Sequence, residues 1–101
     1  MTTTALKPRP SEVLRAHRDE VVALIAESGA ELPRVFGSVA RGTDTPESDL
    51  DILVRIRPEK AWDFVSLPRE LSDLLGVHVD VVSEGGLKPK HHALLAEARP
   101  L

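Results

Sequence analysis

The sequence has 101 residues, enough for about one small domain with a modest core. Hydrophobic residues make up 42% of the chain, and the net charge of −3 comes without a long basic run, so neither intrinsic disorder nor binding to a nucleic-acid backbone is indicated. The absence of cysteine excludes disulfides, thiolate metal sites and cysteine nucleophiles. No apolar run approaches the ~20 residues that span a bilayer, and the N-terminus lacks the apolar stretch of a signal peptide. We therefore expect a soluble cytoplasmic protein without direct contact to membrane or nucleic acid.

In chain order, the sequence predicts a flexible N-terminal arm over 1–10 and one domain over 11–101. The predicted elements are a helix over 11–28, a strand over 34–36, a helical turn over 39–41, a strand over 49–56, a helix over 62–75, a strand over 77–82 and a helix over 91–98. Pro68 lies inside the second long helix and predicts either a kink or a new start there. This alternation is typical of an α/β fold in which helices cover a small sheet.

Aromatic residues are few, and tyrosine is absent. Phe36 ends the first predicted strand, and we expect it in the core. Trp62 is either a cap on the core or an anchor in a protein interface, where tryptophan is enriched.

The stretch 44–51 is rich in acidic residues: Asp44, Glu47, Asp49 and Asp51. A solvated loop accounts for such a cluster as well as a binding site does. Asp49 and Asp51 differ from the others because their i, i+2 spacing on a predicted strand directs both carboxylates to one face. Neighbouring carboxylates repel each other unless a proton or a cation lies between them, and Mg²⁺ is the natural cation because it prefers oxygen ligands.

The predicted strand over 77–82 places three valines on one face and Asp80 on the other. A carboxylate among valines is costly to bury unless it is paired or binds a metal, although an edge position open to water is the alternative. His78 shares the face of Asp80, but a single exposed histidine is more often incidental than a ligand.

Gly37 and Ser38 follow the first predicted strand and begin a helical turn. Backbone N–H groups at such a start bind anions, and glycine allows a phosphate to approach closely. Alone, the dipeptide is more commonly a simple turn at the end of a strand. Because paired carboxylates follow ten residues later, the combination indicates a nucleoside triphosphate held with Mg²⁺.

The segments GSVARG (37–42) and SDLDILV (48–54) closely resemble the signature of minimal nucleotidyltransferases of the DNA polymerase β superfamily, which is GS, ten residues and D-x-D. Asp80, in the run VDVV, matches the third carboxylate of that family. The resemblance extends over about residues 30–98. It implies a polymerase-β-like fold, with a small mixed sheet and covering helices. Pro68 departs from the pattern, because relatives continue a helix there.

The resemblance implies transfer of a nucleotide from ATP or another nucleoside triphosphate to an acceptor, with release of pyrophosphate. Asp49 and Asp51 would bind the Mg²⁺ of the triphosphate, and Asp80 would complete a second metal position and help the acceptor oxygen to lose its proton. Gly37 and Ser38 would hold the leaving phosphates. Arg41 would add a positive charge near them, although an ion pair with Asp44 or Glu47 explains this residue equally well.

Small proteins of this type resemble the antitoxin half of two-gene systems, whose partner is an all-helical HEPN ribonuclease. The resemblance therefore implies that AMP is attached to a tyrosine of a HEPN-type toxin, in a hetero-oligomer with this chain. Three alternatives remain: an antitoxin that acts by binding alone, a subunit of a small-molecule nucleotidyltransferase of the aminoglycoside kind, and a structural module whose acidic residues are only solvated.

Overall fold

A mixed four-stranded sheet forms the centre of the computed structural model, which describes residues 7–60, 64–87, 89 and 92–101. The strands are β1 (Ala30–Phe36), β2 (Leu50–Ile56), β3 (Val79–Ser83) and β4 (Arg99–Pro100), in the spatial order β3-β2-β1-β4. β1 pairs antiparallel with β2 and with β4, whereas β2 and β3 are parallel. The predicted α/β fold with a small mixed sheet is confirmed.

The described residues include five α-helices: α1 (Pro10–Ala16), α2 (Arg18–Glu27), α3 (Gly37–Arg41), α4 (Leu67–Leu75) and α5 (His92–Glu97). α4 lies between β2 and β3 in the chain, on the crossover that a parallel pair of strands requires. None of these helices is long and apolar enough to cross a membrane.

Several elements differ from the sequence prediction, among them β1, which was expected over 34–36 and begins at Ala30. The helix expected over 11–28 is divided at His17, whose backbone angles (φ −120°, ψ 22°) are not helical. α4 begins at Leu67, so of the two outcomes expected at Pro68 the new start is the correct one: the proline lies in the first helical turn, where its missing N–H has no intrahelical partner to lose. β4 was not expected, because two residues are too few to show the alternation of apolar and polar side chains that indicates a strand. The expectation for Trp62 lies outside the described residues.

The core lies on one face of the sheet. Its buried side chains come from α1, α2 and α4 and from alternate positions of the strands, as in Leu14, Val21, Ile25, Val35, Leu50, Ile52, Val54, Leu67, Leu71 and Val79. Because side chains alternate along a strand, Asp51 and Asp80 project from the opposite face. The fold thus buries the apolar residues of β2 and β3 and leaves their acidic residues on the other side.

Candidate active site

The parallel pairing of β2 and β3 brings four polar residues together. Asp51 and Asp80 are register partners on the two strands. One step earlier, the Leu50 N–H donates a hydrogen bond of 2.9 Å to the His78 carbonyl, which sets Asp49 beside His78. Asp49 and His78 come directly before β2 and β3, at i, i+2 from Asp51 and Asp80, so the four side chains project from the same face. We call Asp49, Asp51, His78 and Asp80 the quartet.

Three members of the quartet converge closely. The possible ligand atoms of Asp49, His78 and Asp80 all lie within 4.8 Å of one another, and all three residues are exposed. The His78 Nε2 atom is 3.1 Å from the Asp80 Oδ1 atom. The structure therefore brings Asp49 and Asp80 together with His78, which the sequence left as incidental, while Asp51 is the register partner of Asp80 and lies outside this close group.

Asp51 is half-buried and lies against the turn at Gly37. Gly37 has a φ of +70°, and a Cβ atom on it would be only 2.6 Å from the Asp51 Oδ2 atom. Both the backbone conformation and the close approach require glycine. The turn that carries Gly37 and Ser38 therefore lies directly against the carboxylate of Asp51.

The electrostatics of Asp51 favour a cation at this place. Burial raises the pKa of its carboxyl group, and the nearby charges of Asp80 and Asp49 raise it further, whereas His78 and Arg41 act in the opposite direction. Carboxylates that repel one another in this way are relieved by a divalent ion, and their oxygen atoms are the ligands that Mg²⁺ prefers. The donor atoms of Asp49, His78 and Asp80 thus fit a divalent metal, and Asp51 lies beside them.

Glu97 of α5 contacts both ends of α3. Its Oε1 atom accepts a hydrogen bond of 3.2 Å from the Gly37 N–H and lies 3.1 Å from the Arg41 Nη1 atom. Arg41 therefore pairs with Glu97, not with Asp44 or Glu47 as the sequence had suggested. Within the described residues, the Ser38 hydroxyl has no hydrogen-bond partner, while the Ser38 carbonyl accepts a hydrogen bond from the Thr43 N–H at 2.9 Å. Ser38 is the polar side chain of the turn that remains available to a ligand.

Two cavities flank the quartet. One, of about 390 Å³, is lined by Asp49 and His78 together with Lys7 and Ser48. The other, of about 420 Å³, is lined by Asp51 and Asp80 and by the apolar side chains of Phe36, Val82, Leu87 and Leu94. Cavities of this size accept small ligands or parts of larger ones. Phe36 is buried as expected, and it also lines the cavity beside the carboxylates.

The sequence alone left His78 as incidental and did not point to Glu97. His78 could have been found, because it shares the i, i+2 spacing that identified the aspartates. Glu97 gave no such signal, since it lies 56 residues from Arg41 and 60 from Gly37.

Comparisons with known proteins extend over most of the chain. The model of the nucleotidyltransferase domain family matches residues 14–101. The protein adenylyltransferase MntA of Thermococcus cleftensis is 38% identical over 77 residues, which cover 75% of each chain. A relative in Methanocaldococcus jannaschii, also named as a protein adenylyltransferase, is 34% identical over 71 residues, or 69% of this chain and 76% of that protein.

Solved structures give the same picture of the fold. A structure described as a minimal nucleotidyltransferase is 48% identical and superposes with a TM-score of 0.79, covering 90% of this chain and 95% of the other. A chain from a toxin–antitoxin complex with AMP-PNP superposes with a TM-score of 0.66 at 21% identity, covering 81% of this chain and 69% of the other. At that lower identity the likeness concerns the fold alone.

Proposed function

This chain belongs to the nucleotidyltransferase domain family, and on that premise we propose that it transfers AMP from ATP to a hydroxyl group of a partner protein. The acceptor oxygen attacks the α-phosphorus of ATP, the bond from that phosphorus to the bridging oxygen breaks, and pyrophosphate leaves. The observation that carries the proposal is the position of Asp51, which is paired in register with Asp80 and lies against Gly37. A carboxylate pair and a phosphate-binding turn thereby form one site.

In this proposal Asp49, Asp51 and Asp80 bind Mg²⁺, which stabilises negative charge on the triphosphate when it is bound. The Ser38 hydroxyl binds the leaving phosphates, and Gly37 allows them to approach the backbone. Arg41 supplies a positive charge beside the turn. Asp80 accepts the proton of the acceptor hydroxyl, since it is the exposed carboxylate of the register pair.

The acceptor in this proposal is a tyrosine of a HEPN-type toxin, and the chain is its antitoxin. The names of the relatives as protein adenylyltransferases support a protein acceptor. The apolar side chains beside Asp51 and Asp80 suit an aromatic ring, and a phenol, with a pKa of about 10, loses its proton more readily than an aliphatic hydroxyl. Because ATP is the donor, we place the reaction in the cytoplasm.

The acceptor is tested by incubating the chain with Mg²⁺ and ATP labelled at the α-phosphate, alone and with the protein encoded by the neighbouring gene. Because this chain contains no tyrosine, we expect all of the label on the partner. Strong labelling of the chain alone would contradict transfer to a partner. Label on neither protein would favour an antitoxin that acts by binding alone.

The site is tested by the Asp51→Ala variant in the same assay. We expect transfer to fall by about two powers of ten or more, because a carboxylate that holds the metal contributes several kcal/mol to the stabilisation of charge. Asp73→Ala is the matched control, since Asp73 is an exposed acid of α4 outside the quartet. Circular dichroism checks that both variants fold. Full activity of Asp51→Ala, or of the unmodified chain in excess chelator, would overturn the assignment.

A further inference from the structure

His78 is the member of the quartet that is not a carboxylate, and two carboxylates converge with its ring. Its backbone is fixed at the start of β3 by the hydrogen bond from the Leu50 N–H. Its side chain is exposed, so the ring can turn at little cost. Its Nε2 atom lies beside Asp80, and the carboxylate of Asp49 converges on the same space.

We propose that His78 is a direct ligand of the divalent ion and makes the site a mixed nitrogen and oxygen centre. The inference rests on the proposed function in one respect, that the quartet holds a divalent ion. Imidazole binds transition metals well, whereas Mg²⁺ relies on oxygen ligands. The site therefore selects Mn²⁺ and related transition ions over Mg²⁺ more strongly than three carboxylates alone would.

The distances allow this coordination after a small movement. Ligand atoms about 2.1–2.2 Å from one ion are no more than about 4.4 Å apart. The three donor atoms of Asp49, His78 and Asp80 already lie within 4.8 Å of one another. A hydrogen bond between His78 and Asp80 alone would not require Asp49 to converge as well, so the three-way arrangement favours shared coordination over a simple pair.

The experiment uses the full chain without an affinity tag and Mn²⁺ as the probe. Pulsed electron paramagnetic resonance detects the modulation that a coordinated ¹⁴N nucleus produces, and titration of the free Mn²⁺ signal gives the affinity. Competition with Mg²⁺ gives the affinity for the second ion. The variants are His78→Gln and, as a matched control, His17→Gln, because His17 lies outside the quartet and pairs with Glu20 at 2.9 Å.

We expect the ¹⁴N modulation in the unmodified chain and in His17→Gln, and its loss in His78→Gln. The affinity of His78→Gln for Mn²⁺ should fall about ten-fold or more, as it does when groups around a metal are removed, while its affinity for Mg²⁺ changes little. A second variant, His78→Asn, should behave in the same way, and circular dichroism checks that each variant folds.

Bound Mn²⁺ without ¹⁴N modulation, or equal modulation and affinity in His78→Gln, would overturn the role of His78. So would a failure of every variant to bind Mn²⁺. Transfer of label by His78→Gln in saturating Mg²⁺ is measured separately. If transfer is retained while the ¹⁴N result is negative, the inference about His78 fails and the proposed function stands. If neither Mn²⁺ binding nor transfer is found, both fail.

Discussion

Asp44 and Asp51 belong to the same acidic stretch, yet their surroundings shift the pKa of the two carboxyl groups in opposite directions. Asp44 is the more buried of the two, with 5% of its surface exposed. Burial raises its pKa, but the hydrogen bonds from Ser11, including one of 2.9 Å from the backbone N–H, together with the charge of Arg9, outweigh burial and lower it. Burial also raises the pKa of Asp51, and the like charges of Asp80 and Asp49 raise it further, with no hydrogen bond from the described residues to offset them.

The comparison shows that the neighbours of a buried acid, more than its burial, determine its role. Asp44 accepts hydrogen bonds and fastens the loop after α3 to the beginning of α1. Asp51 lies among other acids, whose mutual repulsion a bound cation would relieve. Asp44 therefore stabilises the fold, whereas Asp51 belongs to the candidate site and lowers the stability of the fold.

The largest effect on stability is expected for Asp44→Ala. This variant leaves the Ser11 N–H without its acceptor in a partly buried place, so the free energy of unfolding should fall by about 1–3 kcal/mol. Urea denaturation measures the loss, and Glu47→Ala is the control, because Glu47 is exposed and its ion pair with Lys7 is 3.9 Å long. Transfer activity under folding conditions should remain. Equal stability of the two variants would remove the contrast between Asp44 and Asp51.

Gly37→Ala and Gly42→Ala form a matched pair. Both glycines have a positive φ, +70° and +74°, so alanine should cost about 1–2 kcal/mol of stability at either position. Only at Gly37 would the new Cβ meet the Asp51 carboxylate, whereas Gly42 has nothing within 4 Å. We therefore expect transfer and metal affinity to fall in Gly37→Ala alone. Equal activity of the two variants would show that the contact with Asp51 has no functional role.

Asp51→Asn is expected to increase the stability of the fold, by less than the losses predicted above. Removing a half-buried charge that faces Asp80 and Asp49 should raise the melting temperature in the presence of chelator, even though transfer is lost. Asp73→Asn removes one exposed charge outside the quartet and serves as the control for net charge. A lower melting temperature for Asp51→Asn than for this control would contradict the repulsion described for the site.

The smallest expected effect is that the contributions of Asp44 and Asp51 to the free energy of unfolding depend on pH in different ways. The lowered pKa of Asp44 means that its contribution to stability is complete above the ordinary value of 3.8 and is lost as the pH falls through the lowered pKa. The raised pKa of Asp51 has the reverse effect: the folded state is favoured below 3.8, and this advantage is lost as the pH rises through the raised pKa.

Unfolding curves in chelator, over pH values from about 3 to 7, separate the two contributions. The stability difference between the unmodified chain and Asp44→Ala should shrink in acid. The two differences have opposite signs and different pH windows: the deficit of Asp44→Ala shrinks only below 3.8, whereas the advantage of Asp51→Asn already shrinks above 3.8, as the pH falls through the raised pKa. The pKa of Glu84, which hydrogen bonds from Arg34 hold low, is common to all variants and cancels. If the stability of Asp44→Ala and that of Asp51→Asn changed in parallel over this pH range, the opposite pKa shifts of Asp44 and Asp51 would be contradicted.

The sequence predicted those parts of the site that depend on local spacing. The period of two placed Asp49 with Asp51 and His78 with Asp80, and the interval from Gly37 to Asp49 identified the family that the match over residues 14–101 confirms. The parallel register that sets Asp51 beside Asp80 depends on the crossover through α4, which no local pattern specifies. For that reason the sequence could not show that His78 and Asp49 meet.

The prediction of the fold failed where tertiary contacts override local signals. The break at His17 has no glycine or proline to mark it. The pairing of Arg41 with Glu97 joins residues 56 positions apart, so the nearer acids Asp44 and Glu47 were the natural candidates. Where proline acted locally, at Pro68, the expected start of a helix is present.

The repulsion around Asp51 also has an evolutionary consequence. On the proposed function, a mutation that removes this charge would abolish transfer and relieve the fold, so selection for stability alone would not oppose it. A descendant that needed only to bind its partner would therefore lose the carboxylate without a folding penalty. Retention of Asp49, Asp51 and Asp80 together in this chain is thus expected only while selection acts on the chemistry itself.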